Sequence, residues 1–265
     1  MRTLYFPCAL PAALCLAALC LSACANAPGG SAAQPAAPAA PGTVAGCPSD
    51  RLGTARTLTL ERAPAAYGKQ YAPLALEPGE VVLTFDDGPR PETLDKVLAA
   101  LARQCTYATF FMTGENLVRF PALARQATAA GHTAGLHSYS HPQLPQMTRA
   151  AQLADLDRGI DAYAAAFGRA PDAYRFPFLA DTPILLDALK ARRMTAMSVD
   201  AGIDDWAPND MRSEQLVQRL VQRLAASGGG ILLLHDANGP TADALPALLQ
   251  ALKDNRYRVV RLRWD

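Results

Sequence analysis

From Glu80 to the C-terminus, short apolar runs alternate with longer stretches whose apolar residues recur every three or four positions. A short, nearly continuous apolar run suits a strand covered on both faces, whereas the three-and-four spacing suits a helix with one buried face. The runs are EVVLTF (80–85), YATFFM (107–112), HTAGLH (132–137), AYRFPF (173–178), TAMSV (195–199), ILLLH (231–235) and YRVVRL (257–262), and they predict seven strands. Between them, Leu153, Leu156, Ile160, Tyr163 and Phe167 make one helical stripe, Leu216, Leu220 and Leu224 a second, and Leu245, Leu248, Leu249 and Leu252 a third. All three stripes are assigned to packing. Strands alternating with helices signal parallel βα units. The expected fold is therefore α/β: a closed or nearly closed barrel of about seven parallel strands wrapped by helices.

Ahead of Glu80 this pattern is absent. Residues 1–23 carry one early positive charge, Arg2, and then CALPAALCLAALCLSA, an apolar stretch broken by Pro11, which reads as an export signal rather than a membrane span. The signal ends in LSAC (21–24), which resembles the bacterial lipoprotein box, and that resemblance implies a lipidated Cys24 as the mature N-terminus. Ala25 after it resembles lipoproteins sent to an outer membrane. Ordinary cleavage at ACA (23–25) or ANA (25–27) is the competing reading. Residues 24–46 form an uncharged tether rich in Ala and Pro, with Gly and Ser. Residues 47–79 are an irregular lead-in with one candidate strand, RTLTL, and residues 80–265 form the domain that carries the chemistry.

Length and charge narrow the partner. The chain has 265 residues, 50% of them apolar, which is enough for one sizeable core. Lys and Arg together number 25 and Asp and Glu 24, with no long block of either sign, so there is no electrostatic footprint for nucleic acid or an anionic membrane. A neutral partner is favoured, and no protein partner is evident. Of the six cysteines, Cys8, Cys15 and Cys20 lie in the signal and Cys24 at its end. Cys47 and Cys105 remain, and in an oxidising compartment such a pair suggests a disulfide, the alternative being two buried thiols.

In parallel βα barrels the reactive groups gather at the carboxyl ends of the strands. Asp86 and Asp87 end the first run, His137 ends the third, Arg175 lies in the fourth, Asp200 follows the fifth and His235 ends the sixth. There are only four histidines, at 132, 137, 141 and 235. A spacing of four sets His137 and His141 on one side of a helical turn, where they can share a metal with a carboxylate.

Five motifs in this order resemble the polysaccharide deacetylases, the domain of the nodulation-type chitooligosaccharide deacetylases and a carbohydrate esterase family. They are TFDDGP (84–89), HSYSH (137–141), RFPF (175–178), DAGIDDW (200–206) and LLH (233–235). The resemblance covers residues 80 to about 263 and implies a distorted barrel and a hydrolase. It implies Asp86 as general base and Asp87, His137 and His141 as ligands of a divalent metal, zinc first, with cobalt or nickel accepted by the same donors. Gly88 and Pro89 would make the tight turn after the strand. Arg175 is similar to the arginine that holds the catalytic aspartate, Pro177 and Phe178 would shape the groove, and the Phe178 N–H would help hold an oxyanion. His235 would be the general acid, Asp205 its orienting partner and Trp206 a wall of the site.

Two departures qualify the transfer. The family often has DxxDW, whereas Asp200 and Asp205 stand five apart with Asp204 intervening, so which aspartate meets His235 stays open. Leu136 replaces the Asn, Ser or Thr frequent before the first histidine. His132 is read as structural. The function implied is removal of acetyl groups from an N-acetylated, chitin-like or peptidoglycan-like glycan by an envelope-anchored enzyme. An O-acetyl esterase would use the same machinery, and a glycan-binding lipoprotein on an inherited barrel is the non-enzymatic rival, opposed by the intact motif residues.

Overall fold

A computed structural model describes residues 47–206 and 212–265. The signal (1–23), the tether (24–46) and Cys24 lie outside the described residues. The strands are β1 (Arg56–Leu60), β2 (Ala66–Tyr67), β3 (Glu80–Asp86), β4 (Thr109–Met112), β5 (Thr133–Leu136), β6 (Ala173–Tyr174), β7 (Thr195–Met197), β8 (Ala201–Gly202), β9 (Gly230–His235) and β10 (Arg258–Trp264). All seven expected strands are present, and RTLTL is β1. The helices are α1 (Leu94–Arg103), α2 (Gly114–Arg119), α3 (Pro121–Ala129), α4 (Arg149–Phe167), α5 (Pro183–Ala191), α6 (Ser213–Ser227) and α7 (Gly239–Asp254). None among the described residues is long and apolar enough to cross a membrane.

Every strand pairing is parallel, in the order β8–β9–β3–β4–β5–β6–β7–β2. Strand β10, with β1 beyond it, pairs with the first residues of β3, whereas β4 pairs with the last. No ladder among the described residues joins β8 to β2. The sheet thus curls into a barrel left open along one seam, the nearly closed form of the barrel expected from the strand pattern and the distorted barrel that the family resemblance implied. The lead-in supplies strands too, β1 and β2, one more than the single candidate RTLTL.

Two apolar layers sandwich the barrel wall. Val81, Leu83 and Phe85 of β3 face the helices with Leu216, Leu220, Leu224, Leu245, Leu248 and Leu249, whereas Val82, Phe111, Met197, Ile231 and Val260 fill the interior. Because side chains alternate along a strand, Thr84 and Asp86 share the interior face with Val82. On β9, His235 shares it with Ile231. Asp86 and His235 are register partners, so two polar side chains meet at the carboxyl rim of the interior.

Candidate active site

The two adjacent aspartates end β3 differently. Asp86 is the last strand residue, pointing inward and buried. Asp87 turns left-handed at φ 77°, which swings its carboxylate to the rim. That strained turn is tied down by Asp87 N–H to Phe111 O (3.2 Å) and by Asn116 Nδ2 donating to Asp87 O (2.7 Å).

The two imidazoles converge by a different route from the helical turn expected of an HxxxH spacing. Residues 137–141 form an irregular loop after β5, with Ser138 at φ 59° and His141 at φ 53°. The sharp reversal, fastened by His141 N–H to Ser138 Oγ at 2.9 Å, brings the rings to 4.9 Å between centroids. The left-handed residues at 138 and 141 exclude a helical turn there.

Asp87 Oδ1 lies 3.6 Å from Nε2 of both His137 and His141. These separations are too long for hydrogen bonds, and Asp87 Oδ1 is a buried oxygen with no hydrogen-bond partner. The His137 ring is fixed by Nδ1 bonding to Arg175 O at 2.8 Å, which leaves the Nε2 lone pair facing Asp87. Burial drives the His137 pKa down to about 3, so this ring is neutral and able to donate to a cation. One oxygen and two nitrogens that face one another without protons between them match the donor set of a divalent metal, and the three donor atoms lie within 4.8 Å of each other. The residues present therefore fit the group.

Arg175 is wholly buried, and each guanidinium nitrogen is engaged. It donates to Met197 O (3.1 Å), Thr84 Oγ1 (2.7 Å), Asp86 Oδ1 (2.7 Å) and Ser198 O (3.2 Å), and its charge lies 4.1 Å above the Phe111 ring. Burial raises the Asp86 pKa above the usual carboxylate range, and the neighbouring charges of Arg175 and His235 hold the rise back. With Oδ1 committed to Arg175, Asp86 Oδ2 faces the site, 3.6 Å from His137 Nε2.

His235 meets Asp205. Its Nδ1 bonds Asp205 Oδ1 at 2.8 Å, and its backbone N–H donates to Asp205 Oδ2 at 2.8 Å, an oxygen that also accepts from Thr241. Asp204 instead pairs with Arg223, and Asp200 accepts from the Ile231 N–H, so the three aspartates divide three tasks. Burial by itself would lower the His235 pKa, but the bond and charge of Asp205, together with Asp86 and Asp87, raise it to about 9. His132 stands apart: it accepts the Ala108 N–H, packs edge-on against Tyr107 and Phe110, and is held near 4 by burial.

Phe178 and Trp206 are 57% and 69% exposed, a degree unusual for such large apolar groups, and Phe178 packs edge-on against His141 at 4.5 Å. Both line one groove of about 1170 Å³, whose opposite wall comes from the lead-in through Lys69, Gln70 and Leu76. Pro177, by contrast, is buried. Sequence reasoning missed two residues. Asp236 is buried under the Gly88 turn, where a Cβ on Gly88 would come within 2.0 Å of its carboxylate; burial and then the charges of Asp87 and Asp86 push its pKa up to about 8. Asp155, on α4, binds the loop between the two imidazoles. Asp155, set between Ala154 and Leu156, offered the signal of an acid among apolar positions, whereas Asp236, next to His235, offered none.

Comparison with known proteins agrees with this architecture. Residues 75–197 match the polysaccharide deacetylase family. A family 4 carbohydrate esterase from Streptomyces lividans, solved with acetate, is 31% identical, with 69% of this chain and 91% of that one covered and a TM-score of 0.59. A peptidoglycan deacetylase structure from Bdellovibrio bacteriovorus is 28% identical, covering 79% of this chain and 58% of that one, with a TM-score of 0.71. Peptidoglycan-N-acetylmuramic acid deacetylase PdaC of Bacillus subtilis is 29% identical over 68% of this chain and 37% of its own length. The fold, with a donor triad that fits a divalent cation, is that of a βα barrel of the carbohydrate esterases. The chain belongs to the polysaccharide deacetylase family, and it spans about two fifths of the length of curated relatives such as PdaC and the Listeria monocytogenes peptidoglycan-N-acetylglucosamine deacetylase PgdA (37% and 43%).

Proposed function

We propose that the protein is a metal-dependent hydrolase that removes acetyl groups from the N-acetyl amides of an envelope glycan. The observation that carries this reading is the partnerless Asp87 Oδ1 facing two imidazole Nε2 atoms at 3.6 Å, with Asp86 beside it. Asp87, His137 and His141 would hold the cation, zinc by preference, though cobalt and nickel suit the same donors. When bound there, a divalent cation supplies Lewis acidity, making a water easier to deprotonate and the acetyl carbonyl easier to attack.

The chain's own residues do the rest. Asp86, oriented by Arg175, takes the attacking water's proton on Oδ2, and its raised proton affinity suits that task. His235, turned by Asp205 so that Nε2 is its free position, gives its proton to the departing sugar nitrogen as the C–N bond breaks and acetate leaves. The proton gained by Asp86 and that lost by His235 are then exchanged with solvent. Phe178 and Trp206 offer exposed ring faces to the sugar, and the Phe178 N–H is the candidate second support for the oxyanion.

The substrate class follows the activities of the relatives, which include peptidoglycan deacetylases and a chitin deacetylase from Colletotrichum lindemuthianum, 29% identical over 194 residues. Acetyl esters would use the same groups, and the rates of acetate release from N-acetyl and O-acetyl oligosaccharides compare the two. Asp86→Asn is expected to lower turnover by about 10²–10⁴-fold while zinc remains bound. Turnover within a few-fold of the parent would overturn the assignment. For location, export and lipid anchoring at Cys24 are proposed from LSAC. An intact mass of the mature N-terminus without acyl chains would remove the anchor and leave the chemistry untouched.

A further inference from the structure

Helix α4 presents buried polar groups to the site side of the barrel, and no catalytic role above uses them. Its buried face includes Gln152, Asp155, Leu156, Gly159 and Tyr163. The Asp155 carboxylate accepts three donors from the loop between the two imidazoles: Tyr139 N–H at 2.9 Å, Ser140 N–H at 3.2 Å and Ser140 Oγ at 2.8 Å. One turn further along, Arg158 lies 3.8 Å above the Tyr139 ring. Gly159 lets the helix approach, because a Cβ there would already press on Leu136 at 3.2 Å and on the Ser138 backbone at 3.3 Å. The other side of the same loop is held by α2, where Gly114 N–H donates to Ser138 O and Glu115 N–H to Tyr139 O.

We propose that Asp155 is a positioning residue for the metal site: its carboxylate fixes the backbone of the 137–141 turn, so that His137 and His141 converge on Asp87 before any cation arrives. This rests on the reading of Asp87, His137 and His141 as cation ligands. The turn needs an external hold, because two non-glycine residues in it, Ser138 and His141, sit in the left-handed region. Such a conformation persists only where surrounding bonds over-determine it. A charged acceptor with three donors supplies bonds of the stronger kind. An amide in its place would turn an N–H toward at least one of those donors, leaving the turn free to relax and the imidazoles to separate.

The test uses the metal-free full protein, titrated with zinc against a competing chelator, with thermal melting recorded in parallel. Asp155→Asn is expected to bind zinc about 10–100-fold more weakly, the usual consequence of losing an outer support of a metal ligand. Asp155→Glu should recover part of the affinity. Asp157→Asn, on the same helix but in the exposed pair with Arg192, should change neither affinity nor melting. Parent-like zinc affinity in Asp155→Asn overturns the proposal, as does a lowered melting temperature with affinity unchanged. If Asp155→Asn fails to fold, Ser140→Ala removes one of the three bonds from the loop side, and it should weaken zinc about three- to tenfold. Unchanged affinity in that variant also overturns the proposal. A parent that binds no zinc sinks the cation reading itself, which keeps the two failures apart.

Discussion

At the scale of single residues, the site sets a matched buried ion pair, Arg175 with Asp86, beside an unmatched carboxylate oxygen, Asp87 Oδ1. Arg175 and Asp86 are both removed from solvent, and a buried pair is tolerable only when its remaining donors and acceptors are satisfied, as the bonds to Thr84, Met197 and Ser198 ensure. His235 shows the balance most directly, since burial opposes its charge and three carboxylates favour it, with a net pKa of about 9. As the proposed proton donor, a His235 with that pKa stays charged through neutral pH, so kcat/KM is expected to fall on the alkaline side near pH 9. Asp205→Asn removes the largest favourable contribution and lets burial dominate, and the alkaline limb should move to below about pH 7. An unmoved limb would mean that another group gives the proton. Stability carries the same sign. Because the folded pKa lies above the unfolded value of about 6.5, the contribution is full below pH 6.5 and disappears as pH rises through 9. The difference in urea stability between parent and variant should therefore shrink over that window.

At the scale of elements, chain period made much of the structure readable. Alternation along β3 and β9 is visible as sequence, and it dictates that Asp86 and His235 face the same interior. The order of the motifs did the same for the cluster of Asp87, His137 and His141. What could not be read were features set by tertiary contact. Strands β2 and β8 have two residues each, too short for any period to register. The aliphatic stripe of α4 shows its apolar face, whereas the buried side also includes Gln152 and Asp155, polar positions that become favourable only because loops bring an acceptor, Met147 O, to Gln152 and donors to Asp155. The HSYSH turn looked helical by spacing and is instead a strained loop. The glycine run before β9 illustrates how sharply such contacts act. Gly229 sits at φ +121°, and a Cβ there would lie 2.4 Å from the carbonyl oxygen of Glu80, whereas Gly228, at φ +74° after α6, has open space. Gly229→Ala is expected to cost about 2 kcal/mol or more in urea unfolding, because neither backbone can yield. Gly228→Asn, at a left-handed helix cap, should cost about 1 kcal/mol or less. Equal costs would show that the Glu80 contact relaxes.

At the scale of the whole molecule, the lead-in is the part whose role was least legible, because its contacts are almost all distant in sequence. It pairs β1 with β10 and β2 with β7, and Arg56 reaches the buried Glu80 through two bonds of 2.9 and 2.7 Å. Tyr71 donates to Asp181 at 2.5 Å, and Gln70 donates to Leu179 O at 3.0 Å beside the Phe178 loop. Cys47 is bonded to Cys105, with Cα atoms 5.9 Å apart and a sequence separation of 58. This link closes a loop that contains β1, β2, β3, α1 and the two aspartates. Closing a loop of that size restricts the unfolded chain by about 4 kcal/mol on the entropic account. Strand β1 and the Arg56–Glu80 pair hold the same segment in the folded state without the link. The two views separate in one experiment. A Cys47→Ser, Cys105→Ser double variant should lose about 2–4 kcal/mol in urea unfolding. Its acetate release at low temperature should stay within about twofold of the parent, because β1 and β2 still seat the groove wall. A large loss of activity with little loss of stability would reverse the assignment: the link would then be shaping the groove lined by Phe178 and Trp206 rather than limiting the freedom of the unfolded chain.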